Sequence, residues 1–280
     1  MPPRPATSPT LPTRFLDLPQ GRLAYDDTGG AGPLVVGLPG MGDLRSEYRA
    51  LRPILAAEGY RVVTMEVRGF GETSANWPDV SARSVGQDVV QLVAHLQAGP
   101  AVVLGNSFAA GAALWAAHES PDRVRAVGLL GPIVRDAPPN AVMSALVRLG
   151  FAGPWRVAFW IAYWKSLFPL CRPADHAAAA AALAANLREP GRMDTLRRMV
   201  ALSKTDTAAL VPQIRVPALV VMGTRDPDFK DARAEAAWLA AALGAPLLLV
   251  EGAGHYPHLE QADLVAPPLL DFLRRVTGAR

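Results

Sequence analysis

One serine in this chain has the surroundings that nucleophilic catalysis requires. Ser107 lies in the run VVLGNSFAAG, where an apolar stretch typical of a strand passes directly into a helix of small residues. A serine on such a sharp turn holds its hydroxyl above the sheet, and small neighbours let the backbone make the turn. The spacing is G-x-S-x-A, with Ala109 in place of the second glycine of the G-x-S-x-G pattern. Taken alone, Ser107 is also compatible with an ordinary helix N-cap.

A candidate base and a candidate acid follow later in the chain. A serine hydroxyl is a weak nucleophile unless a base takes its proton and a third group orients that base. His255 lies in a glycine-rich loop after one apolar strand, and Asp226 follows another in the run VVMGTRDPD. Asp228 is the alternative acid, but the Gly-x-x-Asp spacing from Gly223 favours Asp226. The order Ser, Asp, His, each after a strand, predicts that the three side chains meet at the carboxyl edge of one sheet.

The segment GLPGMG at residues 37–42 can supply the hydrogen-bond donors that acyl chemistry needs. The oxyanion of a tetrahedral intermediate is stabilised by backbone N–H groups, one from the residue after the nucleophile and one from an early loop of this kind. The backbone amides of Phe108 and Met41 are the candidates. A phosphate loop is excluded, because no Gly-Lys-Ser/Thr follows the segment and no G-x-G-x-x-G occurs in the chain.

No metal and no organic cofactor are expected. His255 and His258 form an H-x-x-H pair, but no carboxylate of a zinc motif accompanies it, so His258 is interpreted as a surface residue or a neighbour of the site. The single cysteine, Cys171, can form neither an internal disulfide nor a multi-cysteine zinc site, and its pattern favours a small buried side chain.

The elements that must position these residues alternate between short apolar strands and amphipathic helices. Strands are predicted at residues 15–19, 22–27, 34–38, 61–67, 102–104, 124–130, 218–222 and 247–250, and helices at 46–58, 85–97, 107–120, 232–243 and 263–276. Strands that are apolar on both faces and separated by helices are typical of a mostly parallel sheet covered on both sides. The predicted fold class is therefore α/β.

The alternation breaks over residues 138–211, where several helical patterns follow one another without a strand. We predict a helical cap inserted between two parts of one core, residues 14–137 and 212–280, with a flexible Pro-rich arm at residues 1–13. The insert is rich in aromatic side chains, and a packed cap is the simplest interpretation. Such a cap can also wall an apolar substrate pocket. The candidate pocket residues are Trp155, Phe159, Trp160, Tyr163 and Trp164.

Composition excludes several classes of protein. Half of the 280 residues are hydrophobic and the formal net charge is only +3, which excludes disorder for the bulk of the chain. Basic residues are scattered among nearly as many acidic ones, so no nucleic-acid partner is expected. The run MPPRPATSPTLPT lacks the apolar core of a secretory signal, and glycine and proline interrupt the one uncharged run of membrane-spanning length. We therefore expect a cytoplasmic protein without a membrane span; nothing in the sequence indicates its oligomeric state.

In these motifs the chain resembles the α/β-hydrolase superfamily from about Phe15 to Val276. The resemblance rests on LPGMG, EVRGFGETS, GNSFA, GTRDPD and GAGHYPHLE. It implies an eight-stranded, mostly parallel sheet, a helical cap inserted after the sixth strand, and a catalytic triad of Ser107, His255 and Asp226.

The chain departs from the superfamily's pattern at three positions. Pro39 stands where histidine is common, Ala109 where glycine is usual, and Glu66 where aspartate often precedes the Arg-Gly loop. Because the turn carries Ser107, the haloalkane dehalogenase and epoxide hydrolase members, which use aspartate there, are disfavoured.

The residues and the resemblance together predict a serine hydrolase that cleaves an ester or a similar acyl bond of a small, apolar substrate through an acyl-enzyme. Carbon–carbon bond hydrolysis, perhydrolysis and acyl transfer could use the same triad. A peptidase is a further alternative within the superfamily. A ligand-binding or signalling protein with little turnover is the alternative from another class, and the departures at Pro39 and Ala109 motivate it.

Overall fold

The computed structural model describes residues 11–137 and 141–279. The Pro-rich arm expected at residues 1–13 lies outside the described residues except for residues 11–13. Eight strands form one sheet: β1 (Arg14–Leu18), β2 (Gly21–Asp27), β3 (Leu34–Leu38), β4 (Arg61–Met65), β5 (Ala101–Asn106), β6 (Val124–Leu130), β7 (Ala218–Gly223) and β8 (Leu247–Val250).

The sheet has the spatial order β1-β2-β4-β3-β5-β6-β7-β8. The first two strands pair antiparallel and β2 pairs antiparallel with β4, whereas every pair from β4 to β8 is parallel. The central strands β3 and β5 are buried along their whole length, as expected for parallel strands covered on both faces. The predicted mostly parallel, eight-stranded α/β fold is confirmed.

Helices cover both faces of the sheet. They are α1 (Leu51–Ala57), α2 (Ala82–Leu96), α3 (Phe108–Glu119), α4 (Ala141–Ala152), α5 (Arg156–Ser166), α6 (His176–Leu187), α7 (Arg192–Val200), α8 (Thr205–Leu210), α9 (Ala232–Leu243), α10 (Pro257–Glu260) and α11 (Ala262–Thr277). Apolar residues of α2, α3 and α9 pack on one face, and those of α1 and α11 on the other. The sheet therefore lies between two hydrophobic layers.

The helix predicted over residues 46–58 is divided in the structure, so that prediction was wrong as one continuous element. A 3-10 turn spans Arg45–Arg49 and α1 begins at Leu51. The reason is Pro53, which has no N–H to donate to the carbonyl of Arg49 and whose ring crowds that carbonyl. In the first turn of α1, by contrast, a missing N–H costs nothing, because no carbonyl within the helix would receive it.

Helices α4 to α8 follow one another between β6 and β7, and residues 141–210 are called the helical segment below. Several helical patterns were predicted in this region, and the structure has five helices there, of which α8 is short. Among the described residues, no helix combines the length and the apolar character that crossing a membrane requires.

Candidate active site

The turn between β5 and α3 holds Ser107 in a strained backbone conformation. Ser107 has φ 56° and ψ −124°, a region that non-glycine residues rarely occupy. Its amide donates to the carbonyl of Leu130 at 3.0 Å, and its own carbonyl accepts from the amide of Ile133 at 3.2 Å. Gly105 makes the turn possible, because a Cβ there would lie 2.3 Å from the carbonyl oxygen of Ala109. The predicted sharp turn is thus present, and Ala109 fits within it, fully buried.

His255 and Asp226 are hydrogen-bonded to each other. Nδ1 of His255 lies 2.7 Å from Oδ2 of Asp226, and both side chains are buried. Asp226 follows β7 and His255 follows β8, so two adjacent strands bring the pair together. The bond to a carboxylate makes Nδ1 the protonated nitrogen of a neutral imidazole and leaves Nε2 free to accept a proton.

The Ser107 turn and the His255 loop are in contact through their neighbours. The amide Nδ2 of Asn106 donates to the carbonyl of Leu130 at 2.9 Å and to that of His255 at 3.2 Å. Gly131 permits this approach, because a Cβ there would lie 2.5 Å from the carbonyl oxygen of His255. In the described part of the chain no hydrogen bond joins the Ser107 hydroxyl to the His255 ring. Such bonds are often long in ligand-free enzymes and shorten when substrate is bound.

The segment GLPGMG lies directly against the serine. A Cβ on Gly40 would be 3.1 Å from Cβ and 3.7 Å from Oγ of Ser107. The Gly40 amide donates to Oε2 of Glu47 at 3.2 Å, which fixes the loop from behind. Within the described residues, the amides of Met41 and Phe108 donate to no protein acceptor, and Phe108 opens α3, where helix N–H groups are free. Both predicted oxyanion donors are thus on elements that flank Ser107.

Asp228, the alternative acid, also lies at the histidine. Its Oδ2 is 3.6 Å from Nδ1 of His255, farther than the 2.7 Å of Asp226. The Tyr163 hydroxyl lies 2.8 and 2.9 Å from the two oxygens of Asp228. The distances favour Asp226 as the direct partner of His255 and assign Asp228 to Tyr163.

The charges around the histidine shift several pKa values. Burial would lower the pKa of His255, but the charges of Asp226 and Asp228 outweigh it and raise that pKa to about 9. Burial lowers the pKa of His258 to about 3, and the charge of His255 acts in the same direction. Burial also raises the pKa of Glu260 to about 7. His258 is therefore neutral and fully buried near Glu47, from whose Oε1 its Nε2 lies 3.3 Å, and it is not a surface residue.

The aromatic residues of α5 contact the functional loops through their polar atoms. Trp160 donates from Nε1 to the carbonyl of Gly42 at 3.0 Å, and Trp164 donates to Oδ2 of Asp43 at 2.7 Å. Together with the contact of Tyr163 to Asp228, these bonds attach α5 to two loops. They are the early loop, which consists of GLPGMG and Asp43, and the acid loop, which follows β7 and carries Asp226 and Asp228.

The other two candidate pocket residues lie apart from these loops. Phe159 packs edge-on against Phe151 at 5.8 Å between ring centroids. Trp155 is half exposed, and its indole donates to the carbonyl of Leu149 at 3.0 Å. The structure thus brings three of the five predicted residues to the functional loops and leaves two within the helical segment.

A cavity of about 210 Å³ lies beside the side chain of Phe108. Its apolar side chains come from α3, the loop after β6, and α7 with the residues that follow it. Polar side chains also line it: Ser81, Arg83, Ser203, Lys204, Asp206 and Thr207. The apolar lining residues are Phe108, Trp115, Ile133, Met199 and Leu202. Phe108 directly follows Ser107 in the chain, so this cavity lies next to the serine turn.

Three residues of the site were not identified from the sequence. Asn106, Asp43 and Glu47 are buried polar side chains that fix the serine turn and the early loop. A signal existed for Asn106, because it is a polar residue that ends an otherwise apolar strand. Burial of a polar group requires a hydrogen-bond partner, but the sequence does not name the partner.

Comparisons with known proteins agree with this architecture. The chain is 29% identical over 278 residues to the polyketide synthase ThaQ of Burkholderia thailandensis, an alignment covering 94% of this chain but only 13% of the synthase. The crystal structure of a bromoperoxidase from Bacillus anthracis superposes with a TM-score of 0.81 and 22% identity, covering 94% of this chain and 100% of the other. A thermophilic esterase from Thermogutta terrifontis gives a TM-score of 0.77 at 22% identity, covering 94% and 99%.

The match to the sequence pattern of one protein family decides which family the chain belongs to. Residues 35–267 match the family described as "Alpha/beta hydrolase family", a range that runs from β3 into α11 and includes the serine turn, the acid loop and the histidine loop. The chain therefore belongs to the alpha/beta hydrolase family.

Proposed function

We propose that this chain is a serine hydrolase that cleaves an ester or a similar acyl bond through an acyl-enzyme. The observation that carries the proposal is the bond of 2.7 Å between His255 and Asp226, beside a serine held in a strained turn. This is the combination of nucleophile, base and orienting acid that activates a hydroxyl.

In the proposed mechanism, Nε2 of His255 takes the proton of Ser107 as its Oγ attacks the acyl carbon. Asp226 keeps the proton on Nδ1 and stabilises the imidazolium that forms. The amides of Met41 and Phe108 donate to the oxyanion, which places the developing charge next to fixed dipoles. The imidazolium then protonates the leaving group, and water activated by His255 hydrolyses the acyl-enzyme.

The cavity beside Phe108 supports a substrate with a small apolar group. Its wall combines Phe108 and four other large apolar side chains with polar groups, and its volume is only about 210 Å³. Apolar walls with a few polar groups are typical of small-molecule sites. We propose that the acyl or alcohol part of the substrate enters here, which favours short and medium chains over long ones. The helical segment, which contributes Met199 to the wall, would then act as a cap. None of the five predicted pocket residues, Trp155, Phe159, Trp160, Tyr163 and Trp164, lines this cavity.

The test is ester turnover together with covalent labelling. Wild type should hydrolyse p-nitrophenyl esters of short acids and react with a fluorophosphonate probe at Ser107, located by peptide mass spectrometry. Ser107→Ala should lose at least roughly a thousandfold in kcat/KM and all labelling. Ser120→Ala, at the other end of α3, is the matched control and should behave as wild type.

Two results would contradict this proposal. Equal turnover by wild type and Ser107→Ala would remove the serine mechanism. Stabilisation of the protein by esters without product would instead favour a ligand-binding protein. A panel that adds carbon–carbon and peracid substrates separates the other reactions of the same triad, and Leu202→Trp, which fills the cavity, should impair medium-chain esters more than acetate.

A further inference from the structure

Asp228 places a second carboxylate beside the histidine. Nδ1 of His255 is 2.7 Å from Asp226 and 3.6 Å from Asp228. The nearer carboxylate accepts the N–H, and 3.6 Å is too long for a second good hydrogen bond. It is nevertheless close enough for a charge to act on the protonation of the ring.

The position of Asp228 is fixed from two sides. The Tyr163 hydroxyl on α5 contacts both of its oxygens, at 2.8 and 2.9 Å. Its own amide donates to Oδ1 of Asp226 at 3.0 Å. Only 15% of the Asp228 side chain is exposed, so water screens its charge weakly. The carboxylate is therefore held near the ring and does not point into solvent.

The groups that act on His255 come from several elements. They are Asp226 and Asp228 after β7, Glu260 and His258 on α10, and, acting through Asp228, Tyr163 on α5 and Lys204 before α8. Because His258 is neutral and Lys204 is the one cation in this set, carboxylates dominate. This surplus of negative charge favours the imidazolium form of His255.

We propose that Asp228, fixed by Tyr163, is a positioning residue for His255 that stabilises its imidazolium and so moves the active range of the enzyme to alkaline pH. The proposal rests on the proposed serine hydrolase function. The sign follows from the chemistry of the base: His255 can accept the Ser107 proton only when it is unprotonated. Since its pKa is raised to about 9, the active fraction is small at neutral pH and increases up to that value.

Removal of the Asp228 charge should therefore increase activity at neutral pH. In Asp228→Asn the amide keeps the size of the carboxyl group, and the pKa of His255 should fall by about one unit. The acid limb of the kcat/KM profile should move down by the same amount, which gives about a tenfold gain at pH 7. The plateau at high pH should change by no more than about threefold, because Asp226 still orients the ring.

The experiment uses the full chain, an ester substrate and nuclear magnetic resonance of the histidine rings. Asp271→Asn is the charge-matched control, since Asp271 lies exposed on α11 and pairs with Arg274. In Asp228→Asn, the midpoint of the acid limb of the kcat/KM profile and the titration midpoint of the His255 ring should both move to lower pH. In Asp271→Asn, both midpoints should stay at their wild-type values. Asp228→Ser, which also removes the charge, serves if the asparagine variant does not fold.

The outcomes separate this inference from the proposed function. An unchanged His255 titration in Asp228→Asn overturns the role of Asp228, even if esters are hydrolysed. An equal loss of kcat/KM at every pH with an unchanged midpoint shows a purely structural role and also overturns it. Absence of ester turnover and of Ser107 labelling in wild type overturns the hydrolase function, while the ring titration still decides whether Asp228 acts on His255.

Discussion

The backbone carbonyl of Leu167, just after α5, accepts a hydrogen bond of 3.0 Å from the amide of His255. It extends a row of contacts along one side of α5, because Trp160, Tyr163, Trp164 and Leu167 have the spacing i, i+3, i+4, i+7 and share a face. Through these residues the helix bonds the early loop, the acid loop and the histidine loop. The helical segment is thus part of the structure that positions the loops of Asp226 and His255.

Trp164→Phe should test this coupling. The phenylalanine keeps the aromatic packing but removes the indole donor from Oδ2 of the buried Asp43, whose Oδ1 still accepts from the amide of Leu44. This should cost about 1–3 kcal/mol in the free energy of unfolding. Because Asp43 lies in the early loop, we also expect kcat to fall roughly tenfold with a smaller change in KM. Urea denaturation and steady-state kinetics measure the two effects. Trp155→Phe breaks an exposed indole bond and should change both little; similar losses in the two variants would contradict the coupling.

Glu47 should tolerate glutamine but not leucine. Burial raises the pKa of Glu47 well above its usual range, and the charge of Asp43 adds to this, so the neutral carboxyl group is favoured. Glutamine reproduces a neutral acceptor for the Gly40 amide, whereas leucine removes it. We expect Glu47→Gln to keep kcat within about threefold and Glu47→Leu to lower it by roughly tenfold or more. If glutamine is as harmful as leucine in ester kinetics, the carboxyl group is needed in its charged form.

The stability of the fold should decrease between neutral and alkaline pH. The pKa of His255 is about 9 against an ordinary value of 6.5, so its protonated form stabilises the native state below pH 6.5 and this stabilisation is lost as the pH rises through 9. The pKa values of Glu66 and Glu260 are both raised to about 7, so these two groups lower the free energy of unfolding further as the pH rises from 4.5 to 7. Thermal unfolding followed by circular dichroism should show a falling Tm from pH 6.5 to 9.

A variant identifies the group responsible for this slope. In His255→Gln the decrease in Tm above pH 7 should be much smaller, because the titrating ring is gone. The buried His258 has a pKa of about 3, so it is neutral in the native state above that pH. Its contribution to stability therefore increases as the pH rises from about 3 to 6.5, whereas that of His255 decreases at higher pH. A wild-type Tm that increases between pH 7 and 9 would be inconsistent with a protonated His255.

Glycine should be acceptable at 109, whereas alanine should not be acceptable at 105. Ala109→Gly restores the usual pattern without removing a contact of Ser107, so ester turnover should stay within about threefold, with a stability loss of roughly 0.5–1 kcal/mol from helix propensity. In Gly105→Ala the new methyl group would lie 2.3 Å from the carbonyl oxygen of Ala109. The backbone could relieve this clash only by opening the turn. We expect a loss of at least about 2 kcal/mol by urea denaturation. Equal stability of the two variants would refute this explanation of the turn.

Much of the fold follows from local pattern. The strand at residues 34–38 and the helix at 232–243 have the predicted bounds, because an unbroken apolar run and an amphipathic run between an Asp cap and a glycine are strong signals. The division at Pro53 was missed because the helical period continues across it. Local periodicity describes one face of an element and carries no information about a single missing N–H.

The candidate site was predictable in part. Type and spacing identified Ser107, His255 and Asp226, whose loops the sheet order brings to one edge. The aromatic composition of the insert also indicated the aromatic residues of α5, but not that its indoles bond backbone and carboxylate groups of the loops. The bond from His255 to the Leu167 carbonyl leaves no trace in the sequence, since every residue type carries a carbonyl.

The attachment of α5 limits how small molecules can travel to and from the serine. If this helix were lifted at each turnover, bonds to three loops would break and the geometry of the base would be lost with them. The cavity lined by Phe108 lies on the flank formed by α2, α3 and the residues after α7, and a molecule that reached the serine turn from that flank would leave all of these bonds intact.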